Sequence, residues 1–508
     1  MTLVAVFRRV CGPPLLTTLL LLGLSAYYLF VSTSGTFDTI RIRTDFYDLA
    51  AEGFRNGHLY IPVEPQALLL AQPDPASQTW RPLWFWDAVL FQRHYYIYWG
   101  PVPALLLLAF KLLTGFHGSV SDQWPALFFM LGRLYGGAAL IWTFARSLSE
   151  RPPYWAVFCS ILIFGVASPT TFVVARPHIY EASIGAGQCF LFWGLWAALV
   201  GLLHRRYQLP AFIFAGLCWA LALNSRTNMI VVAPILVVIT AAFAWRRSGY
   251  AWGQGLRALF SLGIPVGLGL VACFAYNYVR FGSPTEFGLT YQLTGRQFGG
   301  GSSAYILPNI VSYLFAELEW SCRFPFARLP MLRQLTSWIE WPVTYDVGAY
   351  EAGERVAGLL VTTSWSWLIA VWVWPTLKAA ARFVRSGPQA VTLGLGDPAL
   401  WLVSVSLCSV VSIAPSLFVF MGSMRYLEDP AGGVLIIATI ACFWLLRRAQ
   451  RPVPRALARL LVISVVLHTV VVAVCLGFSG HFDNFRQMNP LLFQRLFDTY
   501  SLCADPPR

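Results

Sequence analysis

Apolar runs of about 15 to 24 residues recur from Pro14 to Leu476, and a run of that size is what a helix needs to cross roughly 30 Å of hydrocarbon. Period-two alternation is absent, so the spanning elements are helices and a barrel is excluded. Only 12% of the residues are charged, about half of what a soluble chain carries. The mean hydropathy of +0.60 agrees. The sequence therefore reads as an all-α polytopic membrane protein, with all 508 residues in one integral membrane domain. The first run, near residues 14–31, follows Arg8 and Arg9, ends in "AYYLFVSTS" and lacks a small-residue cleavage site. It reads as a retained signal anchor.

The formal charge of +13 does not point to nucleic acid, because the arginines cluster in short connections such as "LHRRYQLP", "AWRRSG" and "LLRRAQRPVPRALAR". That clustering follows the positive-inside rule. Basic loops near 146–153, 204–210, 246–257, 378–386 and 447–459 are therefore expected on the cytoplasmic side. Parity then requires that one of the runs 97–115 and 124–145 does not cross. The first contains Pro101, Pro103 and Lys111, and it is expected to be a half-membrane or interfacial helix.

This leaves about 11 spans (10–13 allowed), an inside N-terminus and an outside C-terminus. The expected organisation is an outward loop over 32–96, central membrane helices with a large outward loop (280–355) over 97–355, C-terminal membrane helices over 356–478, and an outward tail over 479–508. Outward segments this long are usually functional. Seven of the ten cysteines fall inside apolar runs, where they read as small buried hydrophobes. Cys322 and Cys503 fall in outward regions and are able to pair in an oxidising compartment.

The stretch "RTDFYDLAAEGFRNGHLY" follows the first span. Asp45, Asp48 and Glu52 stand at i, i+3 and i+7, and Phe46, Leu49, Ala50 and Phe54 form the opposite face. The pattern predicts an interfacial helix that begins near Asp45 and ends at Gly57. Capping alone explains Asp45 and Asp48 at a helix N-terminus. It does not explain why the same side also carries Arg176, His178, Glu181, Arg226, Arg280, Arg296 and Arg425 at or near span ends. Ionisable groups near membrane depth are costly, and by default they line a cavity that uses them.

A carboxylate beside an arginine-bearing cavity suits transfer of a sugar from a lipid phosphate to a hydroxyl. The acceptor hydroxyl needs a general base. The leaving phosphate needs charge stabilisation, which a bidentate guanidinium supplies.

The order of these pieces resembles the GT-C superfamily of polytopic glycosyltransferases, with protein mannosyltransferases and the aminoarabinose transferases of lipid A among its members. The matching segments are "TDFYDLAAEGFRNGHLY", "HYYIYWGPVPALLLLAFKLLTG", "NYVRFGSPTEFGLTYQL" and "MGSMRYLEDPAGGVLIIATIACF". The resemblance implies a polyprenyl-phosphate-linked sugar as donor, a glycan, lipid or protein acceptor on the outer face, an inverting displacement, and a bacterial inner membrane. It also implies an essential Asp in the first outward loop. Asp45 matches that position best, with Asp48 next, although Phe46 stands where many members carry Glu.

Asp87 in "LWFWDAVLF" is a third candidate, equally readable as an interfacial Asp in an aromatic belt. Arg425 and Tyr426 resemble the late-loop pair of the family, with Arg425 expected on the donor phosphate. Arg226, Arg296, His178 and Glu181 complete the candidate substrate-binding set. A divalent metal is conceivable but not indicated, since one His and one Glu do not make a site. No cofactor is expected.

"FGSPTEFG" and "QFGGGSS" supply turns in the large loop. A transporter, flippase or lipid-linked glycan polymerase is the alternative. A transporter calls for mid-span charge and an internal repeat, which the sequence does not show.

Overall fold

The structure is a computed structural model that describes residues 13–39, 44–294, 301–330, 355–373, 375, 396–418, 422–481 and 483–503. Within these residues nine helices are long and apolar enough to span a membrane, and a tenth is a broken pair. The first span is α1 (Pro13–Ser32). The acidic stretch forms α2 (Phe46–Arg55), ended by Asn56 and by Gly57 at φ +79°.

Next come a short hairpin, β1 (Val89–Phe91) with β2 (His94–Tyr96), and α3 (Val102–Thr114). At 13 residues, α3 is about 20 Å long and too short to cross. This agrees with the half-membrane element that charge parity demands.

The bundle continues with α4 (Gln123–Ser147), the broken pair α5 (Tyr154–Val166) and α6 (Ser168–Ala175), and α7 (Ile179–Leu203). Then follow α8 (Gln208–Leu223), α9 (Met229–Arg247) and α10 (Trp252–Phe281). The α5–α6 pair bends by 41°. Ala167 adopts extended backbone there, and Pro169 sits in the first turn of α6, where its missing N–H costs nothing. The last spans include α11 (Asp397–Val410), α12 (Glu428–Arg448) and α13 (Pro452–Ser479), after which α14 (Pro490–Tyr500) carries the tail. The eleventh expected span, near 356–378, is described over 356–373 and at 375, where the chain forms one helical turn (Leu359–Thr362) and a 3-10 stretch (Ser364–Trp372) rather than one long helix.

Helices that share a bilayer gain little from burying apolar surface against one another, so close packing at small residues matters more. A Cβ on Gly137 would overlap the ring of Phe164, and one on Gly432 would overlap Phe192. These contacts belong to a central core that also holds Phe144, Trp219, Trp365 and Trp401. Trp401 satisfies its indole N–H with Thr240 Oγ1 at 3.2 Å. The first run is part of this packing, with Tyr28 fully buried and its hydroxyl donating to the Gly165 carbonyl at 2.6 Å.

Cys322 and Cys503 form a disulfide. Around it Phe324 packs on Phe478 and Phe493, and Phe30 on Phe478 and Phe485. The large loop, the tail and the exit of α1 are thereby joined on one side of the bundle. The other seven described cysteines are free, and all but Cys159 are buried. On the opposite side Arg447 makes a bidentate pair with Glu150, at 2.7 and 3.0 Å, between two of the basic loops.

Candidate active site

Two turns are drawn down between the helices and set the depth of the site. Gln188, nine residues into α7, donates to the Asp429 carbonyl at 3.1 Å. Arg133, ten residues into α4, pairs with Glu428, and both side chains have no exposure. At 1.5 Å per residue, the start of α12 therefore lies about 15 Å below the starts of its neighbours. The turn over 224–228 is drawn down in the same way. Arg226 Nη2 and Asn228 Nδ2 donate to Asp429 Oδ2 at 2.8 and 3.2 Å. Ser183 donates to the Ser225 carbonyl at 2.8 Å.

The floor is electrically paired throughout, Arg133 with Glu428 and Arg226 with Asp429. Thr170 Oγ1 adds a hydrogen bond to Glu428 at 2.9 Å, and Arg133 donates to the Phe164 carbonyl at 3.0 Å.

Above the floor, the start of α7 gathers a second layer. Arg425 Nη1 and Arg176 Nη1 each lie 3.8 Å from Glu181 Oε1, beyond hydrogen-bond distance. The Arg425 guanidinium lies 4.0 Å above the ring of Tyr180 and 5.6 Å from that of Tyr426. The Tyr180 hydroxyl bonds Asp87, whose Oδ1 also accepts from Thr294 Oγ1 at 2.9 Å.

Asp87 precedes β1 with φ +61°, a region that Asp tolerates better than most residues. Burial raises its carboxyl above the usual range, and the bonds from Thr294 and Tyr180 together with the Arg425 charge oppose the rise. His178, just before α7, is pushed down to about 4, first by burial and then by Arg176 and Arg425. It is therefore neutral at pH 7.

The acidic helix covers this layer. Phe46 packs on Trp99 at 5.5 Å, and Trp99 packs edge-on against Tyr180 at 5.0 Å. Asp45 stands at the N-cap position of α2, but its side chain makes no cap bond. The capping acceptor is Asp122, which takes the backbone N–H groups of Phe46 and Tyr47, both at 3.0 Å. Asp45 is half-buried, and its side chain has no hydrogen bond or ion pair among the described residues.

Asp48 turns inward instead and pairs with Lys111 of α3, with both side chains about nine-tenths buried. Glu52 is 41% exposed and lies 3.9 Å from Arg55. The three carboxylates that helical periodicity puts on one face thus divide, because Lys111 pulls Asp48 into the protein. Gly100 lets the chain just before α3 lie against the turn after α8, since a Cβ there would overlap the Asn224 carbonyl.

The structure thus brings Asp87, His178, Glu181, Arg425 and Tyr426 into one layer, with Arg226 in the floor, and Asp45 is connected to the layer through its neighbour Phe46, by way of Trp99 and Tyr180. Arg296 lies outside the described residues, as does most of "QFGGGSS". Arg280 is apart, donating to the Ile97 carbonyl at 2.6 Å. Among the described residues no three His, Cys, Asp or Glu side chains converge as metal ligands do.

Sequence reasoning missed Lys111 as a partner, Asp122 as a cap, and Tyr180, Thr294, Arg133, Glu428 and Asp429. The available signal was charge inside apolar runs, as in "LFFMLGRLYGG", and the acidic pair in "RYLEDP".

No family model and no curated protein matches the chain. Among solved structures, it is similar to the Archaeoglobus fulgidus oligosaccharyltransferase tethered with an acceptor peptide, at 13% identity and a TM-score of 0.43, over 96% of this chain and 59% of that one. It is similar to ArnT from Cupriavidus metallidurans bound to undecaprenyl phosphate, at 12% identity and a TM-score of 0.42, over 95% and 78%. It is also similar to the S. cerevisiae protein O-mannosyltransferase Pmt1–Pmt2 complex bound to the sugar donor, at 10% identity and a TM-score of 0.44, over 90% and 89%. The chain spans about three fifths of the length of the archaeal enzyme.

Proposed function

We propose that this protein is a membrane glycosyltransferase that moves a sugar from a polyprenyl phosphate to an acceptor hydroxyl, with Asp45 as the base. The observation that carries the reading is the division of the acidic helix. Asp48 is held by Lys111, whereas Asp45 is relieved of capping by Asp122 and stands next to Phe46, which packs by way of Trp99 on the Tyr180 ring under Arg425.

In this mechanism the Asp45 carboxylate takes the proton of the acceptor hydroxyl. The acceptor oxygen attacks the anomeric carbon from the face opposite the phosphate, and the bond from that carbon to the phosphate oxygen breaks with its electron pair, inverting the centre. Arg425 and Arg176 receive the charge that develops on the leaving polyprenyl phosphate. Asp87, oriented by Thr294 and Tyr180, binds sugar hydroxyls. The reaction runs on the outward face of a bacterial inner membrane, the side that holds the disulfide and lies opposite the basic loops.

The test is sugar transfer in membranes carrying the wild type, Asp45→Asn, Asp48→Asn or Asp87→Asn, supplied with a panel of radiolabelled polyprenyl-phosphate sugars. Asp45→Asn is expected to lose on the order of 10²- to 10⁴-fold in rate, the usual contribution of a positioned base, while Asp48→Asn stays active. Transfer surviving in folded Asp45→Asn removes that residue from the chemistry. Donor moved across the bilayer with no transfer establishes the flippase alternative.

A further inference from the structure

The ends of α7, α8, α9 and α10 remote from the candidate active site enclose a cavity of about 320 Å³. Its location follows from chain direction: α7 starts beside Arg425 and ends here at Leu203, while α10 starts here and ends at Arg280 beside the hairpin. Four arginines from three separate segments line the cavity, Arg205, Arg206, Arg247 and Arg257, and no carboxylate does. Arg246, adjacent to Arg247 but outside the cavity, lies 3.4 Å from Asp397. Among the described residues none of the four lining arginines has an ion pair.

Four arginines without a carboxylate line one small concavity, so an anion held there meets charge of the opposite sign from three segments at once. Positive-inside topology requires arginines in these loops, but it does not require them to face a common space.

The lining also indicates what kind of anion. Leu209 forms part of the wall, and from it an exposed stripe, Leu209, Ile213 and Leu217, runs down α8 at i, i+4 and i+8. A matching stripe, Leu256, Phe260, Ile264 and Leu268, runs along α10 from beside Arg257. An anion bearing acyl chains satisfies both features, with its phosphate among the arginines and its chains along the stripes. We propose that this cavity binds the phosphate of an anionic phospholipid on the face of the membrane opposite the reaction.

The experiment uses the full chain in neutral detergent. Thermal unfolding is followed during titration with dioleoylphosphatidylglycerol, dioleoylphosphatidylcholine or inorganic phosphate, for the wild type, Arg206→Gln/Arg247→Gln, and a control pair, Arg451→Gln/Arg459→Gln, from the basic stretch outside the cavity. The expected result is saturable stabilisation of the wild type by dioleoylphosphatidylglycerol alone. The affinity should weaken about 25-fold in the cavity variant, from about fivefold per arginine, and by less than threefold in the control.

All four arginines are exposed, so unfolding temperatures without lipid should match and a folding defect would be visible directly. Equal loss in both variants assigns the effect to diffuse surface charge and overturns the proposal. Inorganic phosphate that stabilises the wild type equally and displaces the lipid makes this a soluble-anion site, which also overturns it. So does unchanged lipid binding in the cavity variant.

Discussion

Arg133 and Glu428 form an ion pair whose two side chains have no solvent exposure, between positions 295 residues apart in sequence. Neither charge is placed to react. Together they join the middle of α4 to the drawn-down start of α12. Removing one partner from a buried pair leaves an uncompensated charge, at a cost of about 3–5 kcal/mol, while replacing both with apolar residues is often nearly neutral. Arg133→Met is therefore expected to lower the unfolding temperature in detergent sharply, and Arg133→Met/Glu428→Leu to recover most of it. A double variant no more stable than the single would show that the pair holds the turn in place by more than charge.

Asp122 gives a pH dependence with two opposing parts. Burial pushes its carboxyl up to about 7, against the bonds from Thr44, Tyr47 and Phe46, whereas an unfolded chain titrates near 3.9. The folded state thus binds the extra proton. The stability this group contributes is fully present below about pH 4 and is lost as pH rises through about 7. The ionised form is the better acceptor for both N–H groups of α2, so positioning of Asp45, and with it transfer, improves as pH rises through about 7. Asp122→Asn should flatten both slopes, and comparing pH profiles of unfolding and of transfer with the wild type would reveal whether it does.

Lys111 and Asp48 should separate structure from chemistry. Lys111→Met leaves a buried carboxylate unpaired and should destabilise by several kcal/mol, whereas Lys111→Met/Asp48→Asn should regain most of that. Transfer by Asp48→Asn is expected to stay within about threefold of the wild type, well short of the loss attached to a general base. A rate lower by a hundredfold or more, with folding intact, would return the catalytic role to Asp48.

The Cys322–Cys503 disulfide closes 181 residues of chain, and removing a native bridge costs about 2–5 kcal/mol. Cys322→Ser/Cys503→Ser, or reduction of the wild type, should lower the unfolding temperature. The bridge lies beside the Phe324 cluster, which contains none of the described candidate site residues, so transfer per folded molecule should hold. Parallel unfolding and activity assays would separate the two effects.

Much of this architecture can be read along the chain, because the spans and the short α3 follow from apolar length and from Pro101, Pro103 and Lys111. The acidic helix was visible down to its end at Gly57. What could not be read was which charge meets which. Helical periodicity places Asp48 with Asp45, but only tertiary structure brings Lys111 to one of them and Asp122 to the backbone beside the other. The β1–β2 hairpin escaped for a different reason. Its turn residues, Gln92 and Arg93, take φ +47° and +67° without the Asn or Gly that usually announces such a turn. Asp87 and Tyr180 meet because of that hairpin, so their partnership was hidden with it.

The drawn-down turns tie the start of α12 to the middles of α4 and α7, about 15 Å from where those two helices begin. Arg425 stands three residues ahead of Glu428, so the anchor that holds Glu428 in the bundle also fixes the guanidinium that lies 4.0 Å above the ring of Tyr180. Deep helix packing and the upper layer are therefore coupled as lever and load, and a substitution in the middle of α4 is felt at Arg425 without touching it.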